Sequence, residues 1–201
     1  MTIDECIRRV LAQPVVSVEF EVSVPGPELL KLMNDGQCHT IAELNAHPDQ
    51  RKEMRTFQYR HILGPALGKD EIDTWQAAHV EYPLSDQIRE LLQRIDGIHL
   101  WADLAEKRAY FGVLPLCEWS PVVGSLWSQF FEIHQTSAVG KLVLSYHNNG
   151  DYLLCYDTVT QEFAWHDLWE FDRPKVARSV CEFLELWWGE TAWLDPRNPQ
   201  T

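Results

Sequence analysis

No stretch of this sequence approaches the ~20 consecutive apolar residues that a membrane-spanning helix needs, so no span is expected. Cysteine is sparse and unpaired. Cys6, Cys38, Cys117, Cys155 and Cys181 form no C-x-x-C motif, and an odd set of this kind reads as reduced thiols, not a disulfide framework. There is no N-x-[ST] acceptor, and the start of the chain carries Asp4, Glu5, Arg8 and Arg9 where a secretory leader has an apolar run. A cytoplasmic protein is therefore expected. Positive charge is also short, with 17 Lys and Arg against 30 Asp and Glu and a net charge of −13. That balance argues against a nucleic-acid partner, which calls for a basic footprint, and against docking on anionic lipid.

Tryptophan is missing from the first third, since all nine lie at or after Trp75. Charge is uneven as well. Residues 1–67 carry 7 basic and 9 acidic side chains, and residues 68–201 carry 10 and 21. With 201 residues, 45% of them apolar and 23% charged, the chain is long enough for one domain plus an extension. The composition places the main core in the tail two thirds. The expected division is an N-terminal extension over 1–61, a main domain over 62–190 and a C-terminal tail over 191–201.

Local patterns fill in the elements. Thr2-x-x-Glu5 has the form of a capping box, and Ile3, Ile7, Val10 and Leu11 share a helical face until Pro14 stops the run. Val16, Val18, Phe20, Val22 and Val24 then alternate with Ser17, Glu19, Glu21 and Ser23, the period of a strand with one wet face. Leu29, Leu30, Leu32 and Met33 suggest a short helix closed by Gly36, whereas residues 37–60 show no period that assigns them. Asp70 to His79 reads as a helix with Ile72, Trp75 and His79 on one face. Pro83 suits a first helical position, and Leu84, Ile88, Leu91, Leu92 and Ile95 make an apolar stripe that Asp96-Gly97 ends.

Past a loop holding Trp101, the chain turns to strands. Tyr110 to Leu116 is one candidate, with Pro115 marking an edge or an end. Leu142 to His147 runs into Asn149-Gly150, a strong hairpin signal, and Tyr152 to Tyr156 and Phe163 to His166 complete a three-strand meander. A last helix is expected with Asp172 as its cap, Pro174 in the first turn, and Val176, Val180, Phe183, Leu184 and Trp187 inward. The fold class is thus α+β: an antiparallel or mixed meander flanked by helices, preceded by a helix-strand-helix extension.

Catalytic motifs fail one by one. Gly64-Pro-Ala-Leu-Gly68-Lys69-Asp70 is too short for a phosphate loop and places a carboxylate where a metal-binding hydroxyl belongs. Cys38, His39, His47 and His61 follow no zinc spacing and read as scattered loop side chains. There is no G-x-S-x-G elbow. Cys117, beside Glu118 and Trp119, is the one thiol that suggests an enzyme, and a lone cysteine is more commonly a small buried hydrophobe; Cys155 and Cys181 read as core. No catalytic residue, metal ligand or cofactor is assigned.

The acidic stretch says more. No Lys or Arg lies between Lys141 and Arg173, while Asp151, Asp157, Glu162, Asp167, Glu170 and Asp172 do, interleaved with Tyr152, Tyr156, Phe163, Trp165 and Trp169. Charge of one sign steers a basic partner, and an exposed aromatic can anchor it. The alternative is a solvated sheet face with its aromatics turned to the core. Strand register sends Trp165 inward, and Trp169 is the aromatic expected at the surface. The candidate partner-binding residues are Asp157, Glu162, Asp167, Trp169, Glu170 and Asp172.

The order of elements resembles a known family. Gly68-Lys-Asp-Glu-Ile-Asp-Thr-Trp75, Tyr82-Pro83-Leu84 with Ile88-Arg-Glu-Leu-Leu92, and Asp96-Gly97-Ile98 are similar to the opening of SUKH domains. His147-Asn-Asn-Gly-Asp-Tyr152 and Tyr156-Asp157 resemble that family's central hairpin, and Val180-Cys-Glu-Phe-Leu184 its closing helix. The likeness spans residues 62–190. Ser85-Asp86-Gln87 departs from the family's turn-helix pattern, and residues 1–60 have no counterpart. The resemblance implies an α+β domain without shared catalytic residues that acts in bacteria as an immunity protein for a cognate toxin, such as a basic-surfaced nuclease, or elsewhere as a regulatory or scaffold module.

Overall fold

The computed structural model describes residues 1–37, 43, 46–104, 108–146 and 152–190. Along the chain run α1 (Ile3–Ala12), β1 (Val16–Pro25), α2 (Pro27–Asn34), β2 (Gln50–Leu63), α3 (Lys69–Ala78), α4 (Asp86–Leu92), β3 (Ile98–Asp103) and β4 (Arg108–Val113). They are followed by β5 (Ser120–Pro121), α5 (Ser128–Ile133), β6 (Lys141–Tyr146), β7 (Tyr152–Asp157), β8 (Glu162–Asp167), β9 (Lys175–Ala177) and α6 (Val180–Glu190). This is an α+β architecture with two sheets, ordered β1-β2-β3-β4 and β5-β6-β7-β8-β9. Two compact units emerge: Met1–Val16 with Tyr59–Thr201, and Ser17–Gln58.

In the larger unit the meander lies where the alternation placed it, although its Asn149-Gly150 turn falls outside the described residues. Leu153 faces His166 and Cys155 faces Ala164 on one side of the sheet; Leu154 faces Trp165 and Tyr156 faces Phe163 on the other. Both sides are covered, which is why Leu153 to Tyr156 is an unbroken apolar run with every side chain buried. Phe131 of α5 packs on the first side with Val122, Val143, Leu153, Cys155 and Phe171. On the second side Phe183 of α6 stacks on Phe163, with ring centroids 4.5 Å apart.

Helix α6 starts later than expected. Lys175–Ala177 instead pairs with β8, Ala177 opposite Phe163, so Asp172 and Pro174 precede a strand and Val176 is half exposed at 49%. The helix is started by Ser179, whose Oγ accepts the Glu182 N–H at 3.1 Å, and by Gln87, whose side chain accepts the Val180 N–H at 3.0 Å. Helix α4 is shifted in the same way: its first residue is Asp86, not Pro83, and Ser85 caps it by accepting the Ile88 N–H. Its stripe of Leu84, Ile88, Leu91, Leu92 and Ile95 is buried as expected.

The expected loop around Trp101 is strand β3, paired with β4 through Ile98–Val113 and Leu100–Phe111 and with the end of β2 through Leu63–Ile98. A hydrogen bond of 2.8 Å from the Leu114 N–H to the Leu144 carbonyl ties this pair to the meander. Helix α1 is capped by Thr2 as its motif requires, the Glu5 N–H lying 3.1 Å from Thr2 Oγ1. Its buried side chains are Cys6 and Val10, and Leu11, expected inward, is 68% exposed. Asp4 pairs with Arg94 at 2.7 Å and the Met1 ammonium with Glu185, so α1 belongs to the larger unit and the compact units do not divide at residue 61.

The smaller unit holds most of β1, α2 and the start of β2, a strand that occupies much of the segment without a readable period. The Ser17, Glu19, Glu21 and Ser23 positions are exposed, as the alternation predicts, and Phe20 lies 5.9 Å from Phe57 on the apolar side. Leu29 is the buried side chain of α2. Asp49 caps that helix from beyond its end, accepting the Glu28 and Leu29 N–H groups at 2.7 and 3.0 Å.

Candidate partner-binding surface

The strand and turn geometry of the meander sorts the six acidic-stretch residues into two groups. Asp157 ends β7 and is held on three sides. Its carboxylate pairs with Lys141 and accepts the Val159 and Thr160 N–H groups at 2.9 and 3.1 Å. Burial pushes the Asp157 carboxyl up, but the Lys141 ammonium and the two turn N–H groups outweigh it, and its pKa lies below the usual carboxylate range. Glu162 pairs at 3.2 Å with Arg178. These two carboxylates are therefore occupied by neighbours within the fold.

The second group surrounds the turn after β8. Asp167 Oδ1 accepts the Trp169 N–H at 2.9 Å, which closes the 3-10 turn Leu168–Glu170 and turns the indole outward. Trp169 is 86% exposed, beside exposed Glu170 and Asp172. Tyr156, Phe163 and Trp165 are buried, as register demanded of Trp165. The candidate surface thus narrows to Trp169, Glu170 and Asp172, with Asp167 as the residue that positions the indole.

Tertiary pairing changes the electrostatics that the linear count suggested. The stretch has no cation of its own, yet β6 brings Lys141 to Asp157, and the pairing of β9 on β8 sets Lys175 opposite Trp165 and brings Arg178, just past β9, to Glu162. Among the described residues, negative charge without an ion-pair partner collects at the far end, on exposed Glu170 and Asp172. This separation was not legible in the sequence, because opposite charges 16 residues apart meet only through strand register.

The thiol and histidine candidates are placed as follows. Cys117 is exposed in the 3-10 turn Leu116–Glu118. Cys181, expected in the core, is also exposed, because α6 begins at Val180 and turns that position outward. Burial raises the thiols of Cys6 and Cys155 to about 11 and about 12. Cys38 and His39 lie outside the described residues. His47 Nδ1 accepts the Asp49 N–H at 3.1 Å, and His61 is buried with its ring edge-on to Trp188. Among the described residues no group of three or more His, Cys, Asp or Glu side chains is placed to hold a metal ion, and no helix is long and apolar enough to cross a membrane.

Near the Cys117 turn, Asp96 Oδ1 accepts the Leu116 N–H at 2.6 Å. Burial raises the Asp96 carboxyl, the Leu116 N–H opposes that, and the Glu71 and Glu118 charges add to it. Asp96 therefore anchors the turn that carries Cys117. Compared with protein families, curated proteins and solved structures, the chain matches none.

Proposed function

We propose that this chain is a SUKH-like immunity protein that binds a cognate bacterial toxin and occludes its active site. The observation that carries the reading is Trp169, a large aromatic held 86% exposed by the Asp167 turn and flanked by the carboxylates of Glu170 and Asp172. An indole costs free energy when left in water, and exposed Trp residues are the commonest anchors of protein interfaces. The flanking carboxylates select a partner whose contact surface is rich in Lys or Arg, such as a nuclease, and speed its approach. No covalent chemistry is involved, and neutralisation is steric and electrostatic.

The test is co-purification with the product of the neighbouring toxin gene, followed by binding kinetics at low and high salt. Trp169→Ala should weaken binding by about 30-fold, the effect of losing an anchor worth about 2 kcal/mol. The pair E170K/D172K should slow association about tenfold and flatten its salt dependence. Asp167 is left intact, because its loss would also release the turn. A gene that stays essential when the toxin is deleted, with housekeeping proteins as partners, would favour a regulatory or scaffold module instead.

A further inference from the structure

The outer edge of β1 is unused by this reading. Among the described residues β1 is the terminal strand of its sheet, so along its ten residues one row of backbone N–H and C=O groups meets no neighbouring strand. Such an edge is a template for an added strand, and natural edges are commonly blunted by lysine or an internal proline. Val16–Val24 contains neither; Pro25 stands only at its end.

The side chains decide what can pair there. The segment Val16-Ser17-Val18-Glu19-Phe20-Glu21-Val22-Ser23-Val24 has the same character read from either end, with its apolar positions on one face and Ser17, Glu19, Glu21 and Ser23 exposed on the other. If two copies paired antiparallel about Phe20, Glu19 would stand opposite Glu21 twice. The adjacent registers that keep the faces aligned set Glu19 on Glu19 or Glu21 on Glu21. Like charges directly opposite in a strand pair are destabilising, so the strand is poorly suited to its own copy. The same two carboxylates suit a strand with cations at alternate positions. Lys52 reaches Glu21 from β2 at 2.5 Å, and Glu19 has no such partner among the described residues.

We propose that the β1 edge receives, as an added antiparallel strand, a segment of a partner protein that alternates Lys or Arg with apolar residues. Glu19 and Glu21 read the cations on one face, and Phe20 is covered on the other. This surface is distinct from Trp169 and does not rest on the toxin reading.

The experiment has two arms on the full chain. In the first, sedimentation velocity at low salt compares wild type, E19K and E19K/E21K. E19K sets a lysine opposite Glu21 of a second copy at both ends of the pair, so it should self-associate about tenfold more strongly than wild type, and E19K/E21K should not. In the second, a blocked heptapeptide of alternating lysine and valine is titrated while backbone amides are followed by NMR. It should shift the amides of residues 17–23, lose about tenfold in affinity against E19K/E21K, and fail to bind when alternate peptide amides are N-methylated. Wild type that dimerises through β1, E19K that stays monomeric, or peptide binding indifferent to N-methylation would each overturn the proposal. So would amide shifts centred on residues 167–172, which would send the basic ligand to the Trp169 surface.

Discussion

His166 makes stability depend on pH in a window where no carboxylate titrates normally. Its side chain is 4% exposed, stacked on Phe171 with centroids 4.4 Å apart and edge-on to Phe131 at 5.2 Å. Nδ1 donates to the Phe171 carbonyl at 3.0 Å, which leaves Nε2 as a buried lone pair without a hydrogen-bond partner among the described residues. Protonating Nε2 would place a cation among aromatic rings. Burial is the chief cause that holds the His166 pKa below its usual 6.5; the Phe171 carbonyl opposes it, and the charges of Lys141 and His134 push it lower still.

The sign follows from linkage. The unfolded imidazole takes up its proton near pH 6.5 and the folded one only below that, so the His166 contribution is complete above 6.5 and is lost as pH falls. If the folded imidazole stays neutral throughout, the loss between pH 7.5 and 5.5 is about 1.4 kcal/mol. Urea unfolding followed by tryptophan fluorescence at the two pH values measures it. His166→Phe keeps the stacked ring and orphans the Phe171 carbonyl, lowering stability at pH 7.5 by about 1–2 kcal/mol and leaving it near the wild-type value at pH 5.5. What matters is the pH difference, which should shrink in the variant by the 1.4 kcal/mol that wild type loses. An equal pH difference in both proteins would refute the reasoning.

Three further outcomes are expected. Asp157→Asn keeps an acceptor for the turn N–H groups but leaves Lys141 partly buried and unpaired, at a cost of about 2 kcal/mol by urea titration at pH 7; because the Asp157 pKa is depressed, the wild-type advantage is present above its ordinary 3.8 and disappears as pH falls below it. Gly64→Ala would bring a Cβ to 1.7 Å from the Asp96 carbonyl oxygen, beside the 2.8 Å hydrogen bond from the Gly64 N–H to Gly97, and should cost about 3 kcal/mol. With iodoacetamide under native conditions, Cys117 and Cys181 should be alkylated while Cys6 and Cys155 label only on unfolding, as peptide mass spectrometry would read; early labelling of Cys155 would contradict the covered meander.

Much of the architecture follows from patterns shorter than about ten residues. The Thr2 cap, the β1 alternation, the α4 stripe and the three meander strands depend on period and turn chemistry, which a linear string carries in full. The charge balance and the outward position of Trp169 were legible for the same reason. Lys175–Ala177 was not, because three residues hold no period, and only the free edge of β8 makes them a strand in place of a helical turn. Strand β3 was missed although Ile98, Leu100 and Ala102 alternate, since its identity depends on partners on both sides. The start of α6, and with it the exposure of Cys181, followed from that pairing. The acidic stretch shows the divide most clearly: its composition belongs to the sequence alone, but whether a carboxylate faces solvent or a cation is set by register, which brings Lys141 and Arg178 across strands to Asp157 and Glu162 and leaves Glu170 and Asp172 in water.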